Sequence, residues 1–222
     1  MNEYKDKYTH VILGDARELI KDVEPESIDL IFTDPPYLKK YLPLYEWVGK
    51  EAARVLKPDG FLMAYCGGCW KNIIMRMLDQ ELDFYWDFTQ YMPGQNSIIW
   101  HKKIIAKNKN ILCYRKKGSG ALPRCNVLGA WQGGCKDKRF HFWGQDEQTA
   151  RYYIDCFSSP KEIILEPFTG GGTTPFVCKK LKRYCLAFEI EQDAFKQTVE
   201  RLGNMPTMTE YKQLQLLGEK VL

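Results

Sequence analysis

The chain of 222 residues lacks the features of a membrane-spanning or secreted protein. No apolar run approaches the roughly 18 residues that a membrane-spanning helix needs. The first residues, MNEYKD, are charged and contain no apolar stretch, so no secretory signal is evident and we expect an intracellular protein. Hydrophobic residues make up 45% and charged residues 27%, which excludes a disordered or collagen-like chain.

Two common ligand-binding signatures are also missing. Among the eight cysteines, Cys66 and Cys69 have the spacing of a metal-ligand pair, but a four-ligand zinc site needs a second such pair, and none follows. We therefore expect packed, reduced thiols and no metal site. The glycine-rich segment near residue 170 lacks the Gly-Lys-Ser/Thr of a phosphate-binding P-loop.

Acidic residues are almost absent from one segment. Residues 101–142 contain eleven lysines and arginines and one aspartate, so this segment carries +10 while the rest of the chain carries −6. Such an asymmetry favours a polyanionic partner, namely nucleic acid, over a merely solvated basic surface. The candidate phosphate-binding residues are Lys102, Lys103, Arg115, Lys116, Lys117, Arg124, Lys136, Lys138 and Arg139.

Apolar runs and helical repeats alternate along the chain. This pattern predicts an α/β fold with a mainly parallel, twisted sheet and a small irregular insertion over residues 118–142. The predicted strands cover residues 10–13, 28–32, 61–66, 97–100, 111–114, 163–165 and 184–190. The predicted helices cover residues 44–56, 70–78 and 146–157, a helix after residue 173, and two amphipathic helices at the end.

A glycine-rich turn follows the predicted strand at 163–165. Strand, glycine turn and helix together suit the binding of an adenosine cofactor, because Gly170 and Gly172 let a ligand approach the backbone closely. Glu189 ends the next strand and is a candidate ligand for two ribose hydroxyls. Glu166, just before the turn, is a candidate partner for the amino group of a methionine-like tail.

The sequence Asp34-Pro35-Pro36-Tyr37 follows a buried strand, and ligands bind at that edge of open α/β sheets. An exocyclic amino group of a base placed here donates one hydrogen to the Asp34 carboxylate and one to the Pro35 carbonyl, while the base stacks on Tyr37. Holding both hydrogens favours a tetrahedral nitrogen whose lone pair points at an electrophilic methyl group. Catalysis then rests on positioning and electrostatics.

These motifs resemble those of the S-adenosylmethionine-dependent DNA amino-methyltransferases. Asp34-Pro35-Pro36-Tyr37 is similar to the catalytic motif of the adenine-N6 enzymes, and residues 166–173 are similar to their cofactor motif. The catalytic motif precedes the cofactor motif, which is the order of the class called beta. Residues 100–102 and 111–117 also resemble that class.

The resemblance implies one Rossmann-like methyltransferase domain over residues 1–222, with a target-recognition region at about 101–142. It implies a prokaryotic or phage-infected cytoplasm, transfer of methyl to N6 of adenine in double-stranded DNA by base flipping, and a possible homodimer. Asp15 would contact the cofactor's adenine. The implied cofactor-binding residues are Asp15, Asp34, Glu166, Phe168, Gly170, Gly172, Thr173 and Glu189. The His-Pro-x-Gln-Lys-Pro pattern of the family is absent from residues 141–146.

Several alternatives stay open at this point. Cytosine-N4 methylation needs the same two acceptors, although that family more often has Ser at the position of Asp34. RNA or a protein amide is a further possible substrate. A catalytically inactive nucleic-acid-binding protein would keep the fold, and a dinucleotide oxidoreductase would use the glycine turn but leave Asp34-Pro35-Pro36-Tyr37 without a role.

Overall fold

The computed structural model describes residues 2–92, 97–133 and 146–204. The strands are β1 Glu3–Lys5, β2 Thr9–Leu13, β3 Ile28–Thr33, β4 Leu56–Cys66, β5 Leu82–Tyr91, β6 Ser97–Ile99, β7 Ile104–Ala106, β8 Asn108–Lys116, β9 Ala130–Gln132, β10 Ile163–Glu166 and β11 Tyr184–Glu189. The helices are α1 Ala16–Leu19, α2 Leu42–Val55, α3 Lys71–Leu78, α4 Glu147–Phe157, α5 Thr173–Leu181 and α6 Gln192–Gly203.

In this part of the chain, a nine-stranded sheet has the order β1-β2-β11-β10-β3-β4-β8-β5-β9. The five neighbouring strands β2, β11, β10, β3 and β4 are parallel, whereas β8 is antiparallel to both β4 and β5. The predicted α/β class and mainly parallel sheet are therefore confirmed. The carboxyl ends of β3, β10 and β11 meet at one edge, where the sequence places its candidate site residues.

Helices cover both faces of the sheet, because the central strands are apolar on both sides. Helices α4, α5 and α6 pack on one face through side chains such as Tyr153, Val177 and Phe195. Helices α1, α2 and α3 pack on the other through side chains such as Ala16, Val48 and Ile74. None of the described helices is long and apolar enough to cross a membrane.

The sequence patterns missed part of the antiparallel side of the sheet. Strand β5 was not predicted, because a register shift between Phe84 and Trp86 breaks the alternation of buried and exposed residues. The single strand expected at 97–100 is instead half of a β6–β7 hairpin whose turn is Trp100–Lys102. The first of the two expected C-terminal helices is α6, and the second lies outside the described residues.

Candidate active site

The Asp34-Pro35-Pro36-Tyr37 segment leaves the sheet directly after β3. Strand β3 lies between β10 and β4 and ends at Thr33, whose side chain is fully buried. Two prolines in succession prevent the ladder from continuing, so the backbone turns out of the sheet at its carboxyl edge. Pro35 is buried and Asp34 is half-buried, which leaves the carboxylate within reach of a ligand at the edge.

The two expected acceptors are held in place by neighbouring groups. The Tyr37 hydroxyl donates a hydrogen bond to Oδ1 of Asp34. The Tyr45 hydroxyl, on α2, lies 3.4 Å from the Pro35 carbonyl oxygen and donates to the Tyr65 carbonyl oxygen at 3.0 Å. Burial raises the pKa of Tyr45, so it remains a neutral donor. The Tyr45 hydroxyl thus lies beside the Pro35 carbonyl, whose buried proline has a restricted backbone.

The ring of Tyr37 packs against a glycine at the end of β4. A Cβ atom on Gly67 would lie 3.3 Å from the Cβ atom of Tyr37, so a side chain at position 67 would crowd the ring. The Cys66-Gly67-Gly68-Cys69 sequence thus has a steric role at the site. Burial raises the pKa of Cys66 to about 12, which keeps it a thiol. The described residues contain no group of three or more His, Cys, Asp or Glu placed to hold a metal.

Glu166 lies inside the protein, between the two motifs. Its side chain is 3% exposed and accepts hydrogen bonds from the hydroxyls of Thr33 at 2.7 Å and Thr174 at 2.9 Å, and from the Phe168 N–H at 3.0 Å. Burial raises its pKa to about 8. The carboxyl group therefore ties the end of β3 to the glycine loop. Its predicted contact with a cofactor amino group stays a prediction.

The glycine loop takes the backbone shape that the sequence predicts. Gly170 and Gly172 have φ angles of +54° and +74°, a region that glycine adopts without strain. The Gly170 N–H donates to Oε2 of Glu189 at 2.6 Å, and the Glu191 N–H donates to Oε1 at 2.8 Å. Burial raises the pKa of Glu189. No atom of the described residues lies within 4 Å of the position of a Gly170 Cβ, so this part of the structure leaves the loop open there.

The remaining cofactor candidates have different surroundings. Asp15 caps α1 and pairs with Arg17 at 2.6 Å; the preceding Gly14 N–H donates to the Glu189 carbonyl oxygen, which places Asp15 next to the end of β11. Phe168 is half-buried. Thr173 is buried and bonded to a guanidinium nitrogen of Arg201 at 3.1 Å, so its hydroxyl already has a partner in the interior.

The structure places four of the expected DNA-binding residues at the edge of the sheet opposite the catalytic motif. In the pairing of β8 with β4, Asn110 lies opposite Cys66 and Arg115 lies opposite Phe61. Strand β8 therefore runs away from the catalytic edge, and Arg115, Lys116 and Lys117 end at the opposite edge of the sheet. Arg124 lies at that edge as well, paired at 2.6 Å with Glu162, which precedes β10.

These four side chains also have interior or surface partners there. Arg115 donates to the Ala121 carbonyl oxygen, Lys116 pairs with Glu26, and Lys117 donates to the Gln80 carbonyl oxygen. Lys102 and Lys103 are instead exposed at the turn of the β6–β7 hairpin. The three other candidates, Lys136, Lys138 and Arg139, lie outside the described residues.

Sequence reasoning missed Lys109, the first lysine of β8. Its Nζ lies 3.7 Å from Oδ2 of Asp34, and its side chain is 13% exposed. It belongs to the basic segment, but no spacing distinguishes it from the other lysines. Tyr45 and Gly67 were missed as well, since their contacts with the motif depend on how α2 and β4 pack.

Comparisons with known proteins agree with this arrangement. A family model described as DNA methylase, of the N6- and N4-methyltransferase type, matches residues 126–200. Type II methyltransferase M.HpaI of Haemophilus parainfluenzae is 29% identical over 87% of this chain and 74% of its own length. Type II methyltransferase M2.LlaDCHI of Lactococcus lactis subsp. cremoris is 25% identical, over 92% of this chain and 93% of its own length. These matches support an S-adenosylmethionine-dependent DNA amino-methyltransferase.

Solved structures support the fold of the methyltransferase. The complex of M1.HpyAVI with S-adenosylmethionine superposes with a TM-score of 0.73 at 24% identity, over 89% of this chain and 100% of that one. PvuII DNA methyltransferase, described as cytosine-N4-specific, has a TM-score of 0.79 at 17% identity, over 97% of this chain and 95% of that one. The order of the two motifs fits class beta, and DNA is the substrate that the names of these relatives give.

The methyltransferase also has groups that fit S-adenosylmethionine. The open surface at Gly170 lies beside the carboxylate of Glu189, an acceptor suited to ribose hydroxyls. The Tyr65 hydroxyl is buried and has no hydrogen-bond partner among the described residues, and its raised pKa, caused first by burial, also reflects the nearby carboxyls of Asp34 and Glu166. A polar ligand group between the two motifs would give this hydroxyl a partner, so the residues present fit the cofactor.

Proposed function

We propose that the methyltransferase transfers the methyl group of S-adenosylmethionine to the N6 amino group of adenine in double-stranded DNA. The observation that carries this proposal is the placement of Asp34 and Pro35 beside the glycine loop. Strands β3 and β10 are hydrogen-bonded neighbours, and Glu166 joins their ends through Thr33. A base held at Asp34 is thus next to a cofactor held by the loop.

The catalytic roles follow from the acceptors. The Asp34 carboxylate and the Pro35 carbonyl each accept one hydrogen of the amino group, which turns the nitrogen lone pair toward the methyl group. Tyr37 stacks on the base, and Pro36 keeps the turn rigid. Because the Tyr37 hydroxyl occupies Oδ1 of Asp34 in the free protein, an entering amino group has to displace or share that bond. The target base must leave the duplex, since its amino group is unreachable within the stack.

The cofactor is held by groups around the carboxyl edge. When bound, S-adenosylmethionine supplies an electrophilic methyl group. Glu189 accepts the ribose hydroxyls, and Asp15 contacts the adenine ring. The backbone at Gly170 and Gly172 allows close approach, while Phe168 and Thr173 support the loop. Glu166 holds the loop against β3, and Asp34 lies where cofactor and substrate meet.

The DNA interface is centred on the β6–β7 hairpin. Lys102 and Lys103 are exposed there, and the hairpin leaves the body at the catalytic edge, where the Met92 N–H donates to the Lys107 carbonyl oxygen. Lysine contacts with phosphates supply affinity without reading sequence. Only part of the region at 101–142 is then a target-recognition region, because β8 places the middle of this region at the opposite edge of the sheet. A homodimer would enlarge this short interface, and light scattering of the purified protein tests it.

Cytosine-N4 methylation is the second candidate. One observation favours it: the PvuII enzyme, described as cytosine-N4-specific, has nearly the same fold at a TM-score of 0.79. The two acceptors and the stacking ring serve either base equally. Asp34 favours adenine, because in the family that the chain resembles the cytosine-N4 enzymes more often have serine at this position.

Nucleoside mass spectrometry tests the proposal directly. The purified protein is incubated with S-adenosylmethionine and unmethylated duplex DNA of mixed sequence, beside Asp34→Ala and the control Asp59→Ala, an exposed aspartate of β4. We expect N6-methyldeoxyadenosine from the wild type and the control, and a loss of about 100-fold or more in Asp34→Ala. N4-methyldeoxycytidine would support the second candidate. Full activity of Asp34→Ala would refute the catalytic role of this carboxylate.

A further inference from the structure

Lys109 brings a cation into the interior of the site. Its Nζ lies 3.7 Å from Oδ2 of Asp34, 5.3 Å from the ring centroid of Tyr37 and 5.4 Å from that of Tyr65. With 13% of its side chain exposed, Lys109 is part of the wall of the site and differs from the solvated lysines of the hairpin. None of the catalytic, cofactor-binding or DNA-binding roles under the proposed function involves Lys109.

The sheet places this lysine at the catalytic edge. Strand β8 begins at Asn108 and is antiparallel to β4, so its first residues lie beyond the end of β4. Asn110 is opposite Cys66, and its side-chain amide donates to Asp87 at 3.0 Å, which fixes the start of the strand. Lys109 precedes Asn110 and thus points to the same edge as Asp34.

We propose that Lys109 is a positioning residue, which orients the Asp34 carboxylate and holds the ring of Tyr37 in place for the incoming base. The proposal rests on the proposed function. The ammonium group lies on the Oδ2 side of Asp34, so it restricts the direction in which the carboxylate presents its acceptor oxygens to an amino group. A cation over an aromatic face also attracts the ring, so the same ammonium group restrains both residues.

The other groups around Asp34 make such a cation useful. Tyr37, Tyr45, Tyr65 and Cys66 face this carboxyl from its own segment, from α2 and from β4, and burial raises the pKa of each, so all four are neutral. Glu166 faces it from β10 as a second acid, and its pKa of about 8 is due first to burial. Within the described part of the chain, Lys109 supplies the opposite charge in the ion pair with Asp34.

The test compares Lys109→Met, Lys109→Arg and the control Lys107→Met, which removes an exposed lysine two residues earlier. Single-turnover methyl transfer to duplex DNA is measured at saturating DNA and cofactor, beside equilibrium DNA binding. A misplaced acceptor and ring slow the chemical step without weakening DNA binding. We therefore expect the single-turnover rate of Lys109→Met to fall by about 10-fold or more at an unchanged Kd for DNA, with recovery in Lys109→Arg and wild-type behaviour in Lys107→Met.

Two results would overturn the proposal. One is an unchanged single-turnover rate with weaker DNA binding and a salt dependence reduced by about one ion, which would make Lys109 a phosphate contact. The other is wild-type behaviour of Lys109→Met in both measurements. If Lys109→Met does not fold, as judged by circular dichroism, Lys109→Gln replaces it under the same criteria. Failure of the wild-type protein to methylate DNA would instead contradict the proposed function, so the two failures are distinguishable.

Discussion

At the scale of single residues, the proposed function gives Tyr37 two roles that substitution separates. Its ring would provide the stacking surface, and its hydroxyl donates to the carboxylate that we propose holds the amino group. Tyr37→Phe keeps the ring and frees Oδ1 of Asp34. We expect it to retain methylation within about threefold of the wild type, whereas Tyr37→Ala loses a base–aromatic stacking of about 1–3 kcal/mol. The measurement is kcat/KM for duplex DNA, and equal losses in both variants would contradict the separation.

Glu166 makes the stability of the protein depend on pH. Burial raises its pKa from 4.5 in the unfolded chain to about 8, so the folded state holds the proton more tightly. The stabilisation that the protonated Glu166 contributes to the folded state is complete below pH 4.5 and is lost as the pH rises toward 8. Over this range the free energy of unfolding falls by up to about 1.4 kcal/mol per pH unit.

Urea unfolding of the wild type and of Glu166→Gln between pH 5 and pH 8 checks this dependence. The amide resembles the protonated carboxyl in shape and stays neutral throughout. We expect the free energy of unfolding of the wild type to fall more steeply with rising pH than that of the variant. Parallel curves would show that Glu166 titrates normally in the folded protein.

At the scale of elements, the distribution of the basic residues depends on β8. The sequence shows one basic segment, but this strand is nine residues long and crosses the sheet. At about 3.4 Å per residue, Lys109 and Lys116 lie roughly 24 Å apart along the strand. Charges that are contiguous in sequence thus end at opposite edges, a separation that only the pairing of β8 with β4 determines.

DNA binding by two double variants tests this division. Lys102→Ala with Lys103→Ala removes two exposed charges from the hairpin, and Lys116→Ala with Lys117→Ala removes two from the opposite edge. We expect the first pair to weaken binding and to reduce the salt dependence by about two ions, because each phosphate contact releases about 0.9 ion. The second double variant removes the same charge as the first and should bind DNA like the wild type. Weaker binding by the second variant would show that DNA also reaches the opposite edge.

The strands that carry the site were more predictable than those around it. The apolar strands β3, β10 and β11 can be predicted from the sequence, because local sequence determines both each strand and its end. The bulged β5 and the short β9 pair with distant segments, and their patterns carry little local signal. The roles of Lys109 and Gly67 could not be predicted for the same reason, since strand pairing brings these residues close to Tyr37.

At the scale of the whole molecule, two motifs 132 residues apart meet at one edge of the sheet, since Thr33 and Glu166 share a buried hydrogen bond, Asp34 follows β3 and Glu189 ends β11. A ligand that binds only the folded chain stabilises it, by about 2.7 kcal/mol at a hundred times its Kd. For a chain of this size that corresponds to a rise in Tm of about 5–10 °C.

Thermal unfolding with S-adenosylmethionine or NAD therefore tests how the glycine loop and Glu189 are used. We expect a rise in Tm with S-adenosylmethionine and none with NAD. Asp34→Ala should keep most of this rise, because it removes a group from the methyl-transfer side of the site. Glu189→Gln should lose most of it, since an amide replaces one of the two oxygens that accept from ribose. A full rise in Tm for Glu189→Gln, or an equal rise with NAD, would contradict the ribose-binding role of Glu189. The proposed catalysis would then rest on Asp34 alone.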